Sequence, residues 1–272
     1  MRSPRQDAMD TIILESLMKH QVSDQVYQTA ELLLVDEEIQ AMQEYANTVS
    51  IKRLRYNDHG PVHMRTVVQN SIAMMELLKN AGIQTNLELE ECGSFNDSLV
   101  AVLLASFLHD LGMTIGRHDH ELHSTYLAHP IITRILALVY PKDIALQVTV
   151  RSLAIEGISG HMGNRPITSL EAGVVQVADG CDMTKGRARI PLFLAGGQPK
   201  PGGIHQYSAS SIETVTIAAG ETKPIHIEVF MSSEVGLFQV EEVLLPKISN
   251  STAKSHVELF AAVKDEPLKK YF

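Results

Sequence analysis

Cysteine is scarce in this sequence: the two cysteines, Cys92 and Cys181, do not belong to any CxxC pair. This excludes a disulfide framework and a zinc ribbon, and it fits a reducing cytoplasm. No window contains the roughly 18 consecutive apolar residues that a transmembrane helix needs, so we expect none. The opening MRSPRQDAMD also lacks the apolar stretch of a secretory signal. We therefore predict a cytoplasmic protein.

An excess of positive charge is also missing. The chain has 23 Lys and Arg against 32 Asp and Glu, which gives a formal net charge of -9. Binding to nucleic acid or to an anionic membrane favours a basic surface, so we expect neither partner. A small anionic substrate in a local basic pocket is compatible with this charge. With 272 residues, 44% of them hydrophobic, the chain is long enough to bury a large core.

The periodicity of the apolar residues changes once along the chain. From about residue 8 to residue 190 it is helical. The stretch LFLAGGQPKPGGIHQ then concentrates glycine and proline, as linkers do. Beyond it, IETVTIAA, KPIHIEVFM and HVELFAAV read as strands, with a short helix before the last. We predict a mainly α fold, with a helical domain at 1–190, a linker at 191–203 and a small α/β (β-β-α-β) domain at 204–272.

Histidine, in contrast, is abundant, with twelve in the chain. Imidazole and carboxylate groups lie in apolar, helical surroundings, where a buried ionisable group is costly unless it is paired or bound to a metal. Each of them alone has an ordinary structural explanation; His109, for example, could offset the dipole at a helix C-terminus. Together they form a ligand set for Zn, Fe or Mn drawn from facing helices. The candidates are His63, His109, Asp110, His161 and Asp179.

Three motifs resemble the HD superfamily of metal-dependent phosphohydrolases. They are DHGPVHMRTV with His63, FLHDLGM with His109 and Asp110, and VVQVADGCDM with Asp179. The family is defined by a lone His, a His-Asp doublet and a distant Asp, all on helices. The sequence around these motifs resembles an archaeal-type branch of the family, in which a small α/β domain follows the helical HD body. The resemblance spans residues from about 50 to 250.

The resemblance implies one or two divalent metal ions, which could be Mn, Fe, Ni, Zn or Mg. His63, His109, Asp110 and Asp179 would hold the first ion. Asp110 would bridge to a second ion, and His109 and Asp110 would form the catalytic doublet. Asp182 lies one turn beyond Asp179, from where it could orient a ligand histidine.

Extra histidine ligands of a second ion would lie between the doublet and the last aspartate. His161, in SGHMGN, is similar to one of them. For the other we favour His123, in HELHSTYLA, and His129, in HPIITRIL, is the alternative. We expect His118 and His120 to line the entrance.

The implied reaction is hydrolysis of a phosphomonoester or phosphodiester of a nucleotide or related small molecule, through a metal-activated hydroxide. Two alternatives are a di-iron oxygenase of the HD type and a nucleotide-binding regulatory module without turnover. Exposed strand edges could also pair two copies in a homo-oligomer. Arginine and lysine suit a phosphorylated substrate. The candidates are Arg117, Lys185, Arg187 and Arg189, followed by Arg53, Arg55 and Arg65.

Overall fold

A computed structural model of the protein describes residues 2–187 and 204–272. Helices dominate its first part, with a π-helical turn at Val49–Leu54 and a 3₁₀ turn at Leu111–Thr114. The helices are α1 (Pro4–Lys19), α2 (Asp24–Val35), α3 (Glu37–Thr48), α4 (Pro61–Asn80), α5 (Asn86–Leu89), α6 (Phe95–Leu108), α7 (His120–Val139), α8 (Ile144–Gly160) and α9 (Leu170–Cys181).

Helix α6 is the centre of this helical body. Each residue from Ser98 to Leu108 is buried, and the helix contacts α2, α4, α8 and α9. By length and composition the segment Phe95–Thr114 could cross a membrane, but 89% of its apolar window is buried inside the protein. Its apolar character on all sides therefore fits a core helix, because each side faces another helix.

Local signals set where the two helices flanking α6 begin. Pro61 occupies the start of α4, where its fixed φ suits the first helical turn and its missing N–H costs no hydrogen bond. Ser169 caps α9, and its Oγ accepts a hydrogen bond from the Ala172 amide at 3.1 Å. Both helices contact α6 and each other. Their starts therefore fix which side chains face the end of α6.

The second part contains α10 (Ile204–Ser211) and, within the described residues, a four-stranded sheet in the order β1-β2-β3-β4. The strands are β1 (Ile212–Ala219), β2 (Ile225–Met231), β3 (Val257–Val263) and β4 (Lys269–Lys270). β2 pairs antiparallel with β1 and parallel with β3, with Ile227 opposite Ile217 and Leu259. A helical crossover joins β2 to β3. It consists of a 3₁₀ turn at Glu234–Gly236, α11 (Leu237–Gln239), a π-helical turn at Val240–Leu244, α12 (Leu245–Asn250) and a 3₁₀ turn at Thr252–His256.

The sheet lies against the helical body through β1 and β2, both of which contact α4. Alternate residues of β2 are buried, as its period of two predicts: Ile225, Ile227, Val229 and Met231. The predicted fold class, a helical body followed by a small α/β unit, is confirmed, and the short β4 is an addition to it. The predicted linker at 191–203 lies outside the described residues, so the domain boundaries stay predictions.

Candidate metal centre

Histidine and aspartate side chains from five helices converge at one end of α6, in the part of the chain that the structure describes. We call them the cluster. All are buried, with at most 7% of any residue exposed. The cluster is His63 at the start of α4, His109 and Asp110 after α6, His120 at the start of α7, His161 after α8, and Asp179 near the end of α9.

Backbone carbonyl groups orient three of the imidazoles. A carbonyl oxygen can only accept a hydrogen bond, so the ring nitrogen facing it, Nδ1, must carry the hydrogen. The neutral ring then keeps its lone pair on Nε2, which points into the cluster. The Nδ1 donors and their acceptors are His109 with Ser106 at 2.9 Å, His120 with Arg117 at 3.0 Å, and His161 with Ile158 at 2.7 Å.

The resulting donor set fits a metal ion. The Nε2 atoms of His120 and His161 lie 3.1 Å apart, and both carry lone pairs because both Nδ1 atoms are donors. No hydrogen is available between two such nitrogens, whereas a shared cation would satisfy both. The Nε2 atoms of His63 and His109 also lie 3.1 Å apart.

Asp110 divides its two oxygens between two groups of imidazoles. Its Oδ2 is 3.3 Å from Nε2 of His63 and 3.4 Å from Nε2 of His109. Its Oδ1 is 3.1 Å from Nε2 of His120 and 3.5 Å from Nε2 of His161. The cluster therefore has two halves that share one carboxylate, and the ligand atoms of each half lie within 4.8 Å of one another. Ligand atoms of His109, His161 and Asp179 also lie within 4.8 Å of one another, so the two halves are contiguous.

Two further aspartates surround His63. Asp179 directs Oδ1 to Nε2 of His63 at 3.2 Å, and its Oδ2 pairs with Lys247. On the other side of the ring, Nδ1 of His63 lies 2.7 Å from Oδ2 of Asp182, which is the contact expected of an orienting residue. The first half of the cluster therefore has a more acidic environment than the second.

This environment shifts the pKa values in opposite directions. Burial and the charge of Arg187 oppose protonation of His63, but hydrogen bonds to three aspartates raise its pKa to about 10. At His161, burial lowers the pKa to about 4, because one hydrogen bond to Asp110 does not offset it. Burial would raise the pKa of Asp110, yet the nearby His109 holds it well below its usual value. Both cluster aspartates are thus ionised at neutral pH, because Lys247 has the same effect on Asp179.

The structure places His120, not the expected His123, in the cluster. The physical reason is Gly112: a Cβ there would lie 2.0 Å from the carbonyl oxygen of His120, so only glycine lets α7 begin this close to Asp110. The Gly112 amide also donates to Oγ of Ser124 at 2.8 Å. His123 comes three residues later, and its buried Nδ1 has no hydrogen-bond partner.

The other predicted histidines lie outside the cluster. His129 is exposed on α7, and the His118 side chain is 96% exposed. His120, which we expected at the entrance beside His118, is instead buried inside the cluster.

The predicted phosphate-binding cations differ in their surroundings. Nη1 of Arg117 lies 3.3 Å from Nε2 of His120, at the second half of the cluster. Arg187 donates to the carbonyl oxygens of Asp58 and Asp182. Lys185 is exposed and pairs with Glu213 of β1. Arg189 lies outside the described residues. Of the further candidates, Arg65 is buried against Asp10, and Arg53 and Arg55 are exposed.

Two neighbours of the cluster were not predicted. The ring of His59 is 5.8 Å from that of His63, and its Nδ1 lies 2.7 Å from the carbonyl oxygen of Asn57. The position of His59, four residues before His63 in DHGPVH, could have predicted that it lies near the cluster. The sequence gives no such indication for Lys247, because it lies 68 residues beyond Asp179 in the ordinary helical stretch LLPKISN.

Comparison with known proteins agrees with this geometry. The family model described as HD domain matches residues 67–184, a range that includes each cluster residue except His63. The uncharacterized protein MJ1020 of Methanocaldococcus jannaschii is 42% identical over 234 residues, which is 86% of this chain and 88% of that protein. No solved structure gives a significant match. The extent of this identity, the family match and the His/Asp cluster show that the chain belongs to the HD-domain family, a superfamily of metal-dependent phosphohydrolases.

Proposed function

We propose that the protein is a phosphohydrolase with two metal ions, which cleaves a phosphomonoester or phosphodiester of a nucleotide or related small molecule. The observation that carries this proposal is the division of the Asp110 oxygens between two groups of imidazoles. A carboxylate that faces two ligand groups is suited to bridge two ions, and paired ions are a common arrangement for phosphoryl transfer to water.

The ligand assignment follows the two halves of the cluster. The first ion would be held by His63, His109, Asp110 and Asp179. The second would be held by Asp110, His120 and His161. Three or four protein ligands leave coordination positions for water and for a phosphate oxygen, as catalytic metal sites require.

The residues of the protein orient the ligand side chains and exclude water from the cluster. When bound, the ions would lower the pKa of a water molecule and neutralise charge on the phosphoryl oxygens. The carbonyl groups behind His109 and His161 keep both rings fixed, so that no reorientation is needed during the reaction. Burial of the cluster keeps the local dielectric low, which strengthens each charge interaction there. At the second half, Arg117, whose Nη1 lies 3.3 Å from Nε2 of His120, would donate to a phosphate oxygen.

A small phosphorylated substrate remains the expected partner. The net charge of -9 disfavours nucleic acid and anionic membranes, and the buried cluster suits a compact ligand. The nucleotide class comes from the family resemblance.

An activity screen of the protein loaded with one metal at a time tests this function. Metal-free protein is reconstituted separately with Mn, Fe, Ni, Zn and Mg and assayed against nitrophenyl phosphate mono- and diesters and a nucleotide panel. We expect metal-dependent release of phosphate or alcohol by the wild type and none by His109→Ala. Nucleotide binding without turnover under each metal would favour the regulatory module. Oxygen consumption by the iron-loaded protein would favour the oxygenase.

The histidine assignment makes a separate prediction. His120→Ala should lower the metal content from about two equivalents to about one, because the second half loses one of its two imidazoles. His123→Ala is the matched control, three residues along the same helix, and should keep both ions. Metal content of protein purified without chelator decides between them. Loss of an ion from the His123 variant alone would overturn the assignment.

A further inference from the structure

Lys247 brings a buried positive charge to the cluster from outside the helical body. It lies on α12, in the crossover between β2 and β3, and is only 7% exposed. Its Nζ pairs with Oδ2 of Asp179. Lysine is almost never buried this deeply unless its charge is paired, and the Asp179 carboxylate supplies that pairing.

The position of Lys247 is built into the fold. Gly173 and Gly180 lie two turns apart on the same face of α9, and the crossover segment packs on that face. A Cβ at Gly180 would lie 3.1 Å from Cδ of Lys247, and one at Gly173 would lie 2.2 Å from Oγ1 of Thr252. The carbonyl oxygen of Lys247 also accepts a hydrogen bond from Nε2 of Gln176 at 3.0 Å. The segment is therefore held at several points along α9.

The charge of Lys247 keeps Asp179 ionised, but it would also repel a metal ion held by the same carboxylate. Oδ1 of Asp179 faces His63, while Oδ2 faces the ammonium group. An ion held through Oδ1 would lie near another positive charge, and like charges repel strongly in a buried site. An anion that approaches both cations would offset this repulsion.

Lys247 also has unused capacity to bind an anion. An ammonium group has three N–H donors. Within residues 2–187 and 204–272, Nζ of Lys247 donates a hydrogen bond to one acceptor, Oδ2 of Asp179. Two donors are therefore left for oxygens of a ligand.

Lys247 and Arg117 stand at opposite halves of the cluster. Lys247 is beside Asp179, in the first half, and Arg117 is beside His120, in the second. Among the other cations considered, Arg187 is committed to backbone carbonyl groups and Lys185 to Glu213. A phosphate lying across the cluster would thus have one cation at each end.

We infer that Lys247 is a substrate-binding residue, whose ammonium group donates to a phosphate oxygen beside Asp179, at the first half of the cluster. The C-terminal α/β unit is therefore part of the active site. This inference rests on the proposed phosphohydrolase function and deepens it, because it adds a phosphate-binding cation that lies outside the matched family range.

The test compares metal and phosphate binding in the same metal-loaded protein. In Lys247→Met, which keeps an unbranched side chain but no charge, we expect the dissociation constant for inorganic phosphate to rise at least about tenfold. Metal content should be unchanged, and a chelator should remove the metal no faster than from the wild type, because a repulsion is removed. Titration calorimetry and metal analysis give the two readouts.

Two variants separate charge from positioning. Lys247→Gln can still donate to Asp179 but carries no charge, so it should lose phosphate affinity as the Met variant does. Recovery of phosphate binding by Gln, or loss of metal from the Met variant, would overturn the inference in favour of a positioning role. Lys264→Met, at an exposed lysine of the same unit, should match the wild type. A metal-loaded wild type that does not bind phosphate would contradict the proposed function itself.

Discussion

Asp110→Asn is expected to remove both metal ions from the protein at once. The amide has the shape of the carboxylate but no charge, and only its oxygen can bind a metal ion. The amide therefore cannot bridge two metal ions. The carboxylate can, because one of its oxygens faces His63 and His109 and the other faces His120 and His161. Metal content by mass spectrometry, on protein purified without chelator, should fall from about two equivalents to near zero.

Asp182→Asn is the appropriate control for that experiment. Asp182 contacts His63 through Nδ1, and the proposed metal ligand is the other ring nitrogen, Nε2. The change therefore leaves every proposed ligand in place. Loss of such an outer contact weakens metal affinity by about 10–100-fold without deleting the site. If the Asp110 variant kept a full equivalent of metal, the carboxylate would not be a bridge, and the proposed pair of ions would have to be abandoned.

The largest effect on stability is expected from Asp10→Ala. Arg65 is 1% exposed, and its Nε donates to Oδ1 of Asp10 at 2.5 Å. Its Nη1 donates to Oε1 of Gln43 at 3.2 Å, and the guanidinium lies 5.1 Å from the centre of the Phe107 ring. Burial, with the charge of Arg2 adding to it, lowers the pKa of Arg65 to about 10, so the group is still charged at neutral pH.

Removing Asp10 leaves that charge buried without its carboxylate. Breaking a buried ion pair from one side costs about 3–5 kcal/mol, a large part of the 5–15 kcal/mol typical of a whole domain. Urea unfolding of the two proteins measures the difference. Asp7→Ala provides the comparison, since Asp7 pairs with Arg2 at the surface and should cost less than about 1 kcal/mol. Equal effects of the two changes would show that the buried pair is not a major source of stability.

Five of the six cluster residues could be predicted from the sequence because their signals are local. They occur in short motifs within or at the end of apolar helices, and they are His63, His109, Asp110, His161 and Asp179. That His120, rather than His123 or His129, lies in the cluster could not be predicted in this way. It depends on where α7 begins, which is set by the close approach at Gly112 and by the left-handed backbone of Asp119, with φ 51°.

The α/β unit shows the same division between local and distant information. Alternation of apolar residues along β2 is local, and it predicted both the strand and its buried face. The contact between Lys247 and Asp179 depends on a segment of the crossover docking on the glycines of α9. In the sequence, Gly173 and Gly180 are only interruptions of an apolar helix. Their meaning appears when the partner segment, about 70 residues later, is known.

The position of Lys247 in the chain also has a consequence for biosynthesis. The helices that carry the cluster are complete before Lys247 is translated, because this lysine follows Asp179 by 68 residues. At 5–20 residues per second, that interval lasts about 3–14 s. The nascent helical body can therefore meet cellular metal ions before the lysine emerges from the ribosome. Metal loading can thus precede the arrival of the residue that we assign to the substrate.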